Sequence, residues 1–290
     1  MSDSNLLLVG QKNGYTLKVV YDEDPENPRK DVENFGTMMC WHSRYSLGDE
    51  HSYTAPDDFL RAQLFSSLCA TPNVVYDFIK AGKAKNACIK HNKRTQETEL
   101  YERSNRPMSD DKDAPRALIE PAVVTYPTKL EKDGSVPDWF LDNCLDLLSV
   151  GEMMAITELT DEFFILPLYL YDHSGITMNT TGFACQWDSG QVGWIYVEKD
   201  AILKNWVAEE LTPELIQQAK DLMVAEVAHY DLYLRNDCYG YILEKDGEHV
   251  DSCYGFMCGY DALRSEIEEY MPEECDGITE TLSAPSMAYA

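Results

Sequence analysis

Dense apolar and aromatic positions run from Phe163 to Val197, and weaker strand and helix patterns alternate on either side. The first arm of this stretch, Phe164 to Tyr171, is almost continuously apolar, which predicts a buried strand with Pro167 marking an edge or irregularity. The second arm, Val192 to Val197, is β-branched and aromatic, as strands are. Asp188-Ser189-Gly190 supplies a turn ahead of it, so the two arms read as a central hairpin. Between them lies a polar connection, from Asp172-His173-Ser174-Gly175 to Thr180-Thr181-Gly182. It is too long for a tight turn, and such connections inside compact domains are often functional.

Upstream, Tyr15 to Tyr21 alternates as a first strand, followed by an acidic, proline-held loop over residues 22–28. Phe35 to His42 predicts a second strand, which runs into a turn at Gly48-Asp49. Pro56-Asp57-Asp58 opens a helix to about Ala70, with Phe59, Leu60, Leu64, Phe65 and Leu68 as its apolar stripe. A short helix follows from Asn73 to about Ala81. Further on, Pro137-Asp138 starts a helix ending near Gly151, and Glu198 to Trp206 makes another. Thr212-Pro213-Glu214 is a strong helix start, a cap followed by proline and a carboxylate, for a helix to about Arg235. Leu215, Ala219, Leu222, Met223, Tyr230 and Leu234 form its buried stripe, which leaves Glu226, His229 and Tyr233 as the polar members. Cys238–Glu244 and Val250–Phe256 flank a Lys245-Asp246-Gly247-Glu248 turn, and a last helix spans Tyr260 to about Met271. Hairpins that alternate with helices without a βαβ rhythm predict an α+β fold, mainly antiparallel sheet flanked by helices.

Residues 82–136 change character, being polar and rich in Lys, Asn, Asp and Pro, with only Ala117 to Tyr126 resembling a strand. They are expected to form an insertion or satellite subdomain. The core domain is then built from 1–81 and 137–275, with 276–290 as a disordered tail. Within 80–94 stand Lys80, Lys83, Lys85, Lys90, Lys93 and Arg94, a basic island with no carboxylate among them. It suits a contact with phosphate or with an acidic patch on another subunit, although a solvated helix or loop face is the more common use of such a run.

Composition sharpens this picture. With 290 residues, 44% of them apolar, the chain can bury a substantial core. Its net charge of −27 argues against non-specific binding to nucleic acid or to an anionic membrane, and favours basic partners. Nineteen acidic against four basic residues follow Val207, so more than half of that charge lies in the last 84 positions. The nine cysteines are odd in number and scattered, and the first residues lack a basic start and a long apolar run, which together point to free thiols and a cytoplasmic protein. No apolar run approaches the roughly 18 residues of a membrane span.

Candidate chemistry is sparse. There is no HExxH or CxxC pairing, no GxSxG elbow, and neither a Walker nor a GxGxxG motif, so no metal and no cofactor are expected. His42, Asp49, Asp172, His173 and Asp188 sit at predicted strand ends and loops and are the candidate catalytic residues of a small hydrolase or nucleic-acid-modifying enzyme. The aromatic–glycine runs around Tyr239, Tyr241 and Tyr254 are candidate binding residues, together with Lys83, Lys85, Lys90, Lys93 and Arg94, because tyrosine offers large contact area at low entropic cost. A sheet packed with aromatics on both faces would use the same residues.

Phe35-Gly36-Thr37-Met38 with Cys40-Trp41-His42 and Arg44-Tyr45 to Gly48-Asp49, Leu166-Pro167-Leu168-Tyr169 to Gly175, the run from Trp187 to Val197, Tyr230-Asp231 to Asp237, and Asp251 to Phe256 together resemble a family of small acidic proteins from bacteriophages and mobile elements. The resemblance covers the first strands and about 163 to 261. It implies a phage or mobile-element accessory protein, for which counter-defence is a common role; phage inhibitors of the Gabija defence complex are acidic proteins of similar size. The leading expectation is therefore a non-enzymatic inhibitor that binds a host protein, a DNA-handling defence enzyme, through an acidic DNA-like surface, without direct nucleic-acid or membrane contact. The enzyme reading and a structural or assembly role stand as alternatives, and a homo-oligomer is left open.

Overall fold

The computed structural model describes residues 5–67, 73–103, 121–124, 128–130, 136–185 and 187–285. In chain order its elements begin with β1 (Leu6–Lys12), β2 (Tyr15–Tyr21), β3 (Thr37–Cys40), α1 (Pro56–Ser67), α2 (Val74–Lys80), β4 (Ala87–Asn92), β5 (Glu97–Arg103) and β6 (Pro121–Val124). They continue with α3 (Asp138–Asp146), α4 (Val150–Thr157), β7 (Phe163–Asp172), β8 (Ile176–Asn179), β9 (Ser189–Glu198), α5 (Lys199–Trp206), α6 (Pro213–Leu234), β10 (Cys238–Lys245), β11 (Glu248–Met257) and α7 (Leu263–Glu268). The fold is α+β with antiparallel sheets, as the alternation of hairpins and helices predicts.

The described residues divide into two compact units, 5–49 with 166–195 and 217–285, and 50–165 with 196–216. The boundary therefore falls after Asp49 rather than after residue 81, and the described residues of 50–81, 137–165 and 196–216, expected in the core domain, group instead with those of 82–136. Local sequence shows where an element starts, but not which core its apolar stripe joins.

In the first unit, one sheet has the order β1-β2-β10-β11. Both of its hairpins turn on two residues with positive φ, Asn13-Gly14 and Asp246-Gly247, the geometry that matches strand twist. Alternation sends Leu17, Val19, Tyr239, Tyr241 and Leu243 to one face, where they pack with Leu263, Ile267, Ile278 and Leu282. β1 is a strand not anticipated above, although Asn13-Gly14 is its signal in the sequence. The expected disordered tail is also corrected for 276–285. Val9 and Ser283 exchange backbone hydrogen bonds of 2.9 and 3.0 Å, and Ile278 and Leu282 are buried. Residues 286–290 lie outside the described residues.

Glu268 holds this segment in place, accepting from the Gly277 and Thr279 amides and from the Thr279 hydroxyl. Burial alone would raise its carboxyl, but these donors hold it below the ordinary carboxylate range. A lowered folded value means that Glu268 contributes stability above the ordinary carboxylate range and loses it as pH falls through the lowered value. Glu268→Gln is expected to flatten that acid limb and to speed hydrogen exchange at Ile278–Leu282; unchanged exchange would show that packing alone holds the segment.

The second sheet has the order β3-β9-β7-β8. β8, a four-residue strand paired to β7 from Tyr169↔Asn179 to Asp172↔Ile176, occupies part of what the sequence presents as a polar connection. Gly193 brings β9 against β3, where a Cβ would stand 1.8 Å from the Met39 carbonyl oxygen.

The second unit packs α1 to α4 around Phe59, Leu60, Leu64, Ile79, Phe140, Leu141 and Ile156, and adds the sheet β4-β5-β6. The single helix expected from Pro137 to Gly151 is two helices, because Ser149 and Glu152 form a capping box that starts α4. Glu152 also accepts from the Lys85 amide at 2.5 Å, and despite its burial these bonds lower its carboxyl.

Candidate functional site

The candidate catalytic residues fall into two groups, both in the first unit. Asp49 is part of an internal brace. Arg29, with a side chain only 1% exposed, donates from Nε to Asp49 Oδ1 at 2.9 Å and from Nη2 to Asp49 Oδ2 at 2.6 Å. Its Nη1 lies 3.3 Å from Glu226 Oε2, and Nη2 also donates to the Gly36 carbonyl at 2.7 Å. The remaining acceptor capacity is taken by backbone, with Met38 N donating to Asp49 at 2.8 Å and Phe35 N and Gly36 N donating to Glu226 at 2.5 and 3.0 Å. Every carboxylate oxygen is thus engaged in tying the 29–36 loop, β3 and α6 together. Burial, with Asp49 adding to it, pushes the neighbouring Cys40 thiol up to about 12, away from the thiolate form.

The other four candidates do come together, at one end of the β3-β9-β7-β8 sheet. Arg44 forms an ion pair with Asp172, whose other oxygen is 3.3 Å from the Tyr45 hydroxyl. His42 stacks on Tyr45 at 5.0 Å, and its Nδ1 accepts from the Arg44 and Tyr45 amides at 3.2 Å each, so this ring shapes the loop. His173 Nδ1 is 3.4 Å from Asp188 Oδ2, and the Asp172 amide donates to the Asp188 carbonyl at 2.8 Å. The contact of His173 with Asp188 is open to solvent, and Cys185 Sγ approaches the same carboxylate oxygen at 3.6 Å rather than the imidazole, so among the contacts described no hydroxyl or thiol is hydrogen-bonded to His173 as a nucleophile would be. Nor does any group of three or more His, Cys, Asp or Glu side chains suited to a metal occur among the described residues.

The tyrosine expectation needs correction. Tyr239 and Tyr241 are 2% and 1% exposed, and their hydroxyls donate to Asp237 and Asp251. Burial first, then those carboxylates, raise both phenols. They are core residues. Tyr254, by contrast, is exposed, because the strand alternation places it on the opposite face.

That opposite face forms a cleft of about 620 Å³. Strand register lines up Leu6, Val20, Gly240 and Tyr254 as one row and Lys18, Ile242 and Ser252 as the next. Tyr254 folds its ring over Gly240, where a Cβ would meet ring carbons at 2.3 to 2.8 Å. At the Tyr254 end the chain leaves β2 as Asp22-Glu23-Asp24, and Glu244 and His249 lie toward the other end. Lys18 pairs with Glu244 at 2.6 Å, which leaves the three consecutive carboxylates as the cleft's uncompensated charge. Asp22 is also structural, since it accepts from the Gly255 and Asp24 amides at 3.1 Å each. The sequence shows these residues as a strand and an acidic loop; only the register assembles them with Tyr254, more than 200 positions away.

The basic island lies in the second unit. Lys83, Lys85, Lys90, Lys93 and Arg94 are all exposed, on the approach to β4 (Lys83, Lys85), within it (Lys90) and in the β4–β5 turn (Lys93, Arg94). Lys80 and Lys83 lie over the Tyr76 and Phe78 rings, and Lys90 over Tyr101 at 4.4 Å. β5 places Glu99 opposite Lys90 and Glu97 opposite Asn92, so an island without carboxylates in sequence meets them in space.

No helix among the described residues is long and apolar enough to cross a membrane. In comparisons with known proteins, no protein-family model, no curated protein and no solved structure matches this chain.

Proposed function

We propose that this protein is a binding protein of the phage or mobile-element accessory type, which inhibits a DNA-handling host enzyme by occupying its basic nucleic-acid surface. The observation that supports this reading is the cleft on the β1-β2-β10-β11 sheet, with an apolar floor at Leu6, Val20, Ile242 and Tyr254 and the carboxylates of Asp22, Glu23 and Asp24 at one end. Duplex DNA presents about one negative charge per 1.7 Å, so a protein surface built to hold it also accepts closely spaced carboxylates. The apolar floor adds contact area that does not depend on salt, and the overall charge of −27 speeds encounter with a basic partner.

The test is affinity purification of the tagged protein from its bacterial host after nuclease treatment, across a salt series, with identification by mass spectrometry. A stoichiometric host enzyme released at high salt is expected. Glu23→Lys with Asp24→Lys, at exposed positions, is expected to weaken that complex about tenfold or more and to reduce its salt dependence. Tyr254→Ala is expected to weaken it by a similar factor without changing the salt slope. A complex insensitive to salt and to all three substitutions would overturn the reading. The contact of His173 with Asp188 keeps a second reading, a small hydrolase, which His173→Ala would disable while leaving the complex intact.

A further inference from the structure

Trp187 is 95% exposed, the most exposed of the large apolar side chains described. Its ring contributes nothing to the packing of the first unit, yet the turn that carries it is braced. Ser189 Oγ donates to the Cys185 carbonyl, Cys185 Sγ lies 3.6 Å from Asp188, and Asp188 is tied to Asp172 and His173. Beside it lies an open hollow of about 650 Å³ lined by Tyr169, Gly182, Phe183, Ala184, Gly190 and Gln191. Asn179 shapes that wall, accepting from the Thr181 and Gly182 amides at 3.1 and 2.7 Å. Knob and hollow therefore belong to neighbouring parts of the chain, residues 169–185 and 187–191.

The local charge favours a second copy of this chain over a basic target as the occupant. Residues 166–195 contain two carboxylates, Asp172 and Asp188, and no lysine or arginine. Asp172 is neutralised by Arg44 and Asp188 is in contact with His173. On a chain of net charge −27, a second copy meets repulsion over most of the surface but little here. A basic target, conversely, finds nothing complementary at this patch. We infer that Trp187 of one copy seats in the Tyr169–Phe183–Gly190 hollow of a second copy and receives that copy's Trp187 in return, forming an isologous dimer. A two-fold axis passing between knob and hollow satisfies both contacts at once and closes the assembly at two chains. Each tryptophan removes about 150–250 Å² from water, and its braced turn loses little freedom on docking.

Sedimentation equilibrium on the full chain tests this from about 1 µM to about 500 µM, the range in which modest homodimers dissociate. The wild-type average mass is expected to rise toward twice the 33.0 kDa monomer, and more readily in high salt, which screens residual repulsion. Trp187→Asp should hold the protein at monomer mass. So should Gly190→Glu, because a Cβ at Gly190 meets nothing within 4 Å and the new side chain extends into the hollow without strain. Both variants should melt at the temperature of dilute wild type and retain salt-sensitive capture of the cleft's partner. A wild type that stays at monomer mass throughout overturns the inference, as does a dimer that persists in either variant.

Discussion

Arg29→Met is expected to cost about 3–5 kcal/mol of stability, read as a lower urea midpoint with an unchanged slope, because removing one partner of a buried ion pair leaves the others uncompensated. Asp49 and Glu226 are 21% and 14% exposed and converge on one guanidinium, so its loss leaves two poorly solvated carboxylates near each other. Methionine matches the length of the stem but supplies no charge and no donor. Arg29→Lys should recover only part of the loss, since a single ammonium cannot span the fork to Asp49, reach Glu226 and donate to the Gly36 carbonyl. Arg235→Met is the control: its pairs with Asp231 and Asp237 involve a side chain 47% exposed, and the expected cost is below about 1 kcal/mol. If the Arg29 and Arg235 variants lose equal stability, the brace is not what holds the 29–36 loop to β3 and α6. A brace role also predicts that Asp49→Asn destabilises the protein while leaving partner capture intact in the folded fraction.

Gly193→Ala is the second change with a large expected effect, about 4 kcal/mol or more, or loss of soluble protein. The added Cβ would lie 1.8 Å from the Met39 carbonyl oxygen and 2.9 Å from the Cys40 Cα, and these are backbone atoms of a paired strand that cannot swing aside. The Trp41 amide donates to the Val192 carbonyl at 2.7 Å next to this point, so relieving the clash means opening the β3–β9 pairing. Gly190→Ala, three residues earlier in the same strand, has open space at its Cβ and should melt like wild type. Soluble yield and thermal melting of the two alanine variants measure the contrast directly. Similar melting temperatures would show that β3 can move away from β9 at little cost.

Much of the fold was legible because it rests on local chemistry. Thr212-Pro213-Glu214 marks the start of α6 to the residue, since cap, fixed φ and dipole act within one turn. Tyr15–Tyr21 and the hairpin around Asp246-Gly247 follow from alternation and from a turn that needs positive φ. Other elements carried signals that a hydrophobic pattern alone passes over: Asn13-Gly14 for β1, and Ser149 with Glu152 for the break between α3 and α4. β8 is too short for any period to stand out.

The candidate site was less legible, because its parts are far apart in the chain. Asp49 has the same composition-level profile as Asp172, but a buried arginine 20 positions earlier and a glutamate 177 positions later take it into the scaffold. Tyr239, Tyr241 and Tyr254 look alike beside their glycines. Period-two alternation fixes that Tyr239 and Tyr241 share a face, but which face meets α7 and the 278–282 turn is a tertiary matter. By itself the sequence determined the local elements, the acidic surface and the absence of a recognisable catalytic motif, all properties of neighbouring residues or of totals. Tertiary structure decided which carboxylates are braced and which face solvent, which tyrosines are core, and that Trp187 stands clear of the fold; those outcomes depend on pairings between segments tens to hundreds of residues apart, which no local periodicity encodes.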